Sequence, residues 1–165
     1  MLIDELLNNL KGHKVLVFSQ FSKMLDLLAK QLEEQRLDFF HFDGNTPPKR
    51  RMEMVNCFQQ EGNTTNIFLI SLMAGNTGLN LTAADYVILF DPWWNTAVQQ
   101  QAIDRTHRIG QTKKVFAHKM ICRDTIEEKI LDLQKKKKHL SDSLIGGEDS
   151  FVKNLSMEDL EYLLK

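Results

Sequence analysis

Cysteine is scarce in this chain, two residues in 165, and Cys57 and Cys122 stand far apart with no CxxC and no paired histidine spacing. That pattern argues against a disulfide framework and against a zinc site, so both thiols are expected to be reduced and packed. Long apolar runs are missing as well. None approaches the ~20 residues that span a bilayer, and the opening MLIDELLNNL carries acids where a secretion signal has a basic start. No membrane role is expected, and the protein is placed inside the cell: cytoplasm or nucleoid in a bacterium, nucleus in a eukaryote. A surplus of one charge is also absent. Lys and Arg number 21 against 22 Asp and Glu, so any attraction to nucleic acid must come from a local patch. There is no internal repeat, and no GxGxxG follows the first apolar run, which disfavours a small dinucleotide-binding enzyme.

What is present is an alternation. The runs KVLVFSQ (14–20), DFFHFDG (38–44), NIFLISL (66–72), DYVILFD (85–91) and KVFAHKMI (114–121) are rich in Val, Ile, Leu and Phe and read as strands. Near-continuous apolar runs suit strands buried on both faces. Between the first two, Ser22 is placed to cap a helix whose Leu25, Leu28 and Leu32 fall at helical spacing. After the second, Thr46 can cap, Pro47 fits a first turn, and Met54, Cys57 and Phe58 form an apolar face. The order predicts an α/β domain with a mostly parallel sheet sandwiched by helices, over residues 1–122. The rest differs. Asp124 and Glu127 have capping-box spacing ahead of Ile126, Ile130, Leu133 and Leu140, which predicts a brace helix over 123–145. Within 146–165, IGGEDS reads as a linker, and LSMEDLEYLLK as a short acidic helix with Leu155, Leu160 and Leu163 or Leu164 on its apolar side.

Ligands of open parallel sheets bind beyond the carboxyl ends of the strands. The segments there are SQFS (19–22), DGNTPPKRR (43–51), SLMAGNTGLNLT (71–82) and DPWWN (91–95). Each has an ordinary explanation alone: glycines for turns, tryptophans for core, Arg50 and Arg51 for a solvated helix start. Their convergence on one edge puts cations, stacking surfaces and backbone amides in one cleft. The next stretch, QQAIDRTHRIGQ (100–111), reads as a helix with little to bury. Gln101, Arg105 and Arg108, at i, i+4 and i+7, share a polar, cationic face.

VLVFSQF, DG, SLMAGNTGLNLTAADYVILFDPWWN, QQAIDRTHRIGQ and RDTIEEKILDLQ together resemble the successive helicase motifs of the C-terminal RecA-like lobe of Swi/Snf-type ATPases, within helicase superfamily two. The resemblance covers roughly residues 12 to 145. It implies a lobe that pairs with an N-terminal RecA-like lobe of the same protein, clamps ATP and Mg²⁺ between the two, and moves along double-stranded DNA. Carried over, Arg105 and Arg108 are arginine fingers for the γ-phosphate, Gln101 positions them or ATP, and Asp104 orients one of them. Gly75, Gly78, Leu79 and Asn80 match the motif that couples the nucleotide cleft to DNA. Gln20, Phe21, Ser22, Asp43, Gly44, Arg51, Trp93 and Asn95 match DNA-facing positions. Three positions depart from the family. Met73 removes a lysine, Asn76 a glycine, and Thr96 the proline usual after DPWWN.

No GxxxxGK[ST] and no DExH-like box occur, so nothing in the sequence is fitted to cradle β- and γ-phosphates with Mg²⁺. The chain is therefore expected to be half of a motor, monomeric and inactive alone, with no metal site of its own. A strand-separating or RNA-dependent lobe of the same superfamily and a freestanding nucleic-acid-binding module are the competing readings, and a shared fold does not separate them.

Overall fold

The computed structural model describes residues 2–75, 80–91, 96–104, 113–141 and 155–164. Its elements run α1 (Leu2–Asp4, continued by a π-helical turn Glu5–Asn9), β1 (Val15–Ser19), α2 (Ser22–Glu34), β2 (Phe39–Phe42), α3 (Pro48–Gln59), β3 (Ile67–Ser71), α4 (Leu72–Gly75), β4 (Tyr86–Leu89), α5 (Thr96–Asp104), β5 (Phe116–Lys119), α6 (Ile126–Ser141) and α7 (Met157–Leu164). The five strands form one sheet in the order β2-β3-β1-β4-β5, and every pairing is parallel.

Side-chain alternation along each strand divides the core into two layers. Leu16, Phe18, Phe68, Ile70, Val87 and Leu89 face one side, where Met54 and Phe58 of α3 and Ala102 of α5 meet them. Val15, Val17, Leu69 and Ile88 face the other, under Leu25, Leu28, Ala29 and Leu32 of α2. Right-handed crossovers require this split. A helix made while the chain moves outward from β1 to β2 lies on one face, and those made on the way back lie on the other. β1 and β3, the most enclosed strands, are buried at all five positions each.

The sequence did not suggest α1. Leu2, Leu6 and Leu10 share one helical face at i+4 spacing and extend the α2 layer, and the Leu10 amide closes the π turn on the Glu5 carbonyl at 2.9 Å. That spacing was the available signal.

Several expectations need correction. β5 lies at the sheet edge with all four residues exposed, because no strand flanks it beyond and its His118 and Lys119 are polar. Ser22 does not cap α2; Phe21, in extended conformation, holds the cap position without a side-chain bond. Thr46 does not cap α3 either. Pro47 precedes the helix, which opens on Pro48, and the Thr46 hydroxyl donates to Asp43 Oδ1 at 2.8 Å instead. The start of α6 is shifted from the expected box. Asp124 sits at φ 57, its amide donates to Glu128 Oε2 at 3.0 Å, and Glu127 Oε2 accepts from the Cys122 amide at 3.0 Å. Both cysteines are free but exposed, not packed, and Cys57 drops out of the apolar face of α3. Ile130 and Leu133 of α6 are buried against Leu163 with Leu155 alongside, whereas Ile126, Leu160 and Leu164 stand exposed. The Leu140 side chain lies outside the described residues.

Phe58 sits edge-on to Phe68 at 5.3 Å and to Phe40 at 6.4 Å, fully buried, while its neighbour Cys57 is exposed. Phe58→Ala should lower unfolding free energy by about 3–5 kcal/mol, and Cys57→Ala should stay within about 0.5 kcal/mol of the parent. Urea unfolding of both variants checks this, and equal losses would contradict the layer assignment.

Candidate functional site at the carboxyl rim of the sheet

β1 occupies the point where strand order reverses, between β3 and β4, and its carboxyl end opens the crevice in which such sheets bind ligands. The chemistry at this end is organised by Asp91. Its Oδ2 accepts the Ser19 hydroxyl at 2.6 Å and its Oδ1 accepts the Gln20 amide at 2.9 Å. Ser19, fully buried, in turn accepts the Phe21 amide at 3.1 Å. The clasp fixes the strand-to-helix corner that presents Gln20, Phe21 and Ser22. Phe21 is 52% exposed there, a large apolar ring held out at the rim. Burial pushes the Asp91 carboxyl above the usual aspartate range, against the opposing hydrogen bonds from Ser19, Gln20 and Phe21.

A second aspartate organises the loop after β2. Asp43 Oδ1 accepts the Asn45 amide at 3.0 Å as well as the Thr46 hydroxyl, a local turn of the kind Asx side chains make. Here burial again pushes upward, but the bonds from Thr46 and Asn45 together win and the Asp43 carboxyl ends below its usual range. Arg51, half-buried on α3, lies 4.9 Å over the Phe42 ring and donates from Nε to the Thr46 carbonyl at 2.6 Å and from Nη2 to the Gly44 carbonyl at 3.0 Å. The guanidinium therefore holds the loop shape of 43–46, with donors left over.

Of the segment after β3, Asn80 is exposed and its carbonyl accepts from Gln59 Nε2 at 3.2 Å. The same amide group reaches Thr82 Oγ1 at 3.2 Å, and Gln59 Oε1 accepts the Ala83 amide at 2.7 Å. On α5, Asp104 is exposed and accepts from Gln100 Nε2 at 2.9 Å. Gln99 is buried, with 1% exposure. Gln101 and Gly75 belong to described helices, but the Gln101 and Met73 side chains lie outside the described residues, as do Asn76, Gly78, Leu79, Trp93, Asn95, Arg105 and Arg108. The structure thus brings Gln20, Phe21 and Ser22 to the same rim as Asp43, Gly44 and Arg51, two strand positions apart. Sequence reasoning missed Ser19, Asp91 and Gln59. Ser19 and Asp91 are short polar residues closing apolar strands, and that position was the usable sign.

The helicase conserved C-terminal domain family matches residues 1–110. The chain belongs to that family. Over 147 residues, 88% of this chain and 9% of the relative, the lobe is 44% identical to the chromatin-remodeling ATPase INO80 of Homo sapiens. It is 38% identical over 163 residues to the DNA repair protein rad8 of Schizosaccharomyces pombe, covering 99% of this chain and 14% of that protein. The crystal structure of the C-terminal part of the Fun30 ATPase domain superposes with a TM-score of 0.73 at 33% identity, over 97% of this chain and 45% of that one. With the all-parallel sheet, these likenesses identify a C-terminal RecA-like lobe of the Swi/Snf type. The helicase lobe spans less than a fifth of the length of these curated relatives.

The two rim aspartates should separate in a carboxyl-carbon NMR titration, Asp91 titrating above the ordinary aspartate value and Asp43 below it. Their effects on stability have opposite signs. The Asp91 contribution is present in acid and lost as pH rises through its raised pKa; that of Asp43 is present above the unfolded value and lost as pH falls through its depressed one. Asp91→Asn and Asp43→Asn should each erase the matching pH dependence in chemical denaturation, and coincident titration of the two groups would refute the clasp.

Proposed function

We propose that the lobe is the ATP-completing half of a double-stranded DNA translocase of Swi/Snf type, acting with an N-terminal RecA-like lobe of the same protein. One observation carries the reading: after β4, whose carboxyl end Asp91 ties to Ser19 and Gln20, the chain runs through DPWWN (91–95) into α5 (Thr96–Asp104) and QQAIDRTHRIGQ (100–111). By their i, i+4 and i+7 spacing in the sequence, Gln101, Arg105 and Arg108 are assigned to one face, and rigid forked guanidiniums brought up by lobe closure stabilise charge on the γ-phosphoryl oxygens in the transition state. Gln101 and Asp104 position them. The relatives named as ATPases support ATP use by the whole protein.

ATP and Mg²⁺ belong mainly to the other lobe in this reading. Asp43 and Asp91 are engaged by local hydroxyl and amide donors, and among the described residues no cluster of His, Cys, Asp and Glu is fitted to hold a metal. When bound, the metal nucleotide supplies the transferable phosphoryl group. This lobe's own residues supply charge, orientation and closure. The DNA-facing surface comprises Gln20, Phe21, Ser22, Asp43, Gly44 and Arg51 together with Trp93 and Asn95, and Gly75, Gly78, Leu79 and Asn80 couple it to the cleft. Backbone amides and hydroxyls read phosphate without reading bases, so binding is sequence-tolerant. No helix among the described residues is long and apolar enough to cross a membrane.

In the full-length protein, Arg105→Ala or Arg108→Ala should lower ATP turnover by about 10³-fold or more with much smaller changes in ATP and DNA affinity. Steady-state kinetics decides, and losses under about tenfold at both positions would remove the finger assignment. The 165-residue chain alone should melt cooperatively as a monomer yet release no phosphate above buffer with DNA present. DNA-stimulated turnover by that chain, free of contaminating ATPase, would overturn the half-motor reading.

A further inference from the structure

The opposite rim of the sheet carries an aromatic array that the translocase reading does not use. Tyr86 opens β4 and is directly paired with Phe116, which opens β5. Its ring stacks on Phe116 at 5.1 Å with an interplanar angle of 23° and on His118 at 5.8 Å with 13°. His13 meets Tyr86 edge-on at 4.8 Å. Phe116 and His118 are two residues apart on one strand, so their side chains emerge on the same face about 6.6 Å apart. Tyr86 approaches the pair from the β4 side, and α5 and α3 cover the other face of the sheet. Phe116 remains 44% exposed and His118 is exposed too.

We propose that the exposed Phe116 and His118, backed by the Tyr86 ring, form a stacking platform for bases of single-stranded nucleic acid along the outer side of β5. Charge selects this occupant. Lys113 and Lys114, both exposed, lead directly into β5, where a strand's phosphates would pass. Asp85, next to Tyr86, has both carboxylate oxygens engaged: Oδ2 accepts from His13 Nδ1 at 2.6 Å and Oδ1 from the Lys14 amide at 2.9 Å. Stacking tolerates any base because every base has a π face, whereas a duplex keeps those faces within its own stack.

The site lies across the sheet from the DNA-facing loops and needs neither ATP nor a second lobe, so its failure would leave the motor reading untouched. The test is fluorescence anisotropy of a labelled 12-nucleotide oligodeoxyadenylate with the 165-residue chain at low salt, beside a duplex of the same sequence. The single strand should bind saturably, and any duplex binding through the opposite rim should not respond to changes in β5. Phe116→Leu and His118→Ala should each weaken it about tenfold, Phe116→Trp should retain it, and Lys113→Glu with Lys114→Glu should weaken it and flatten its salt dependence. Phe116→Leu keeps an apolar side chain on an exposed strand, and a thermal melt confirms its fold. Leu27→Ala, an exposed apolar position on α2, should change nothing. Absence of saturable binding, equal affinity of Phe116→Leu and the parent, an equal loss from Leu27→Ala, or an equal loss of duplex binding in Phe116→Leu would each overturn the platform.

Discussion

Two carboxylates fasten β4 to β1, one at each end, and the order of the sheet depends on them. Asp85 ties the amino end of β4 to His13 and Lys14, and Asp91 ties its carboxyl end to Ser19 and Gln20. The partners are 71 or 72 residues apart in sequence. This pairing crosses the reversal of strand order, so it is the junction with the least help from local chain connection. Each carboxylate accepts two donors, which offsets much of the cost of removing it from water and fixes register at both ends of a four-residue strand. At the carboxyl end the same bonds shape the corner that carries Gln20 to Ser22. Stability and the geometry of the rim therefore come from one device.

The layers were legible because their cause is periodic. Leu25, Leu28 and Leu32 at helical spacing, Met54 with Phe58, and the runs of β1 and β3 led to the parallel sheet and to which helices cover it. Helix starts were less legible, since any nearby hydroxyl looks like a cap. Ser22 and Thr46 were plausible on type alone, but Ser19 and Asp43 satisfied the local donors from positions outside the helices. β5 was misjudged for a different reason: an apolar run signals a strand, and only topology says whether a neighbour flanks it. The clasp residues share that difficulty. Ser19 and Asp91 acquire meaning only when β1 and β4 become neighbours, although both occupy the ends of apolar runs. The assignment of Gln101, Arg105 and Arg108 to one face rests on sequence spacing and resemblance alone, since Arg105, Arg108 and the Gln101 side chain lie outside the described residues.

The acidic tail shows how patterning overstates burial when one helix has several apolar residues to offer. α7 places Leu163 against Ile130 and Leu133, a cluster separate from the two sheet layers, and leaves Met157, Leu160 and Leu164 to solvent. A single partner helix covers only one stripe. Ser156 and Asp159 close the start of this helix reciprocally, the Ser156 amide on Asp159 Oδ2 at 2.8 Å and the Asp159 amide on Ser156 Oγ at 3.1 Å, so the segment has a well-defined beginning of its own.

α3 acts as a strut. Near its first turn, Arg51 grips the carbonyls of Gly44 and Thr46; at its last residue, Gln59 grips Asn80, Thr82 and Ala83. Along a helix the two grips are about 12 Å apart, joined by a rod that does not lengthen under small loads. A push on the loop after β2 is therefore delivered to the segment leading into β4 along the axis of a helix, bypassing the three central strands.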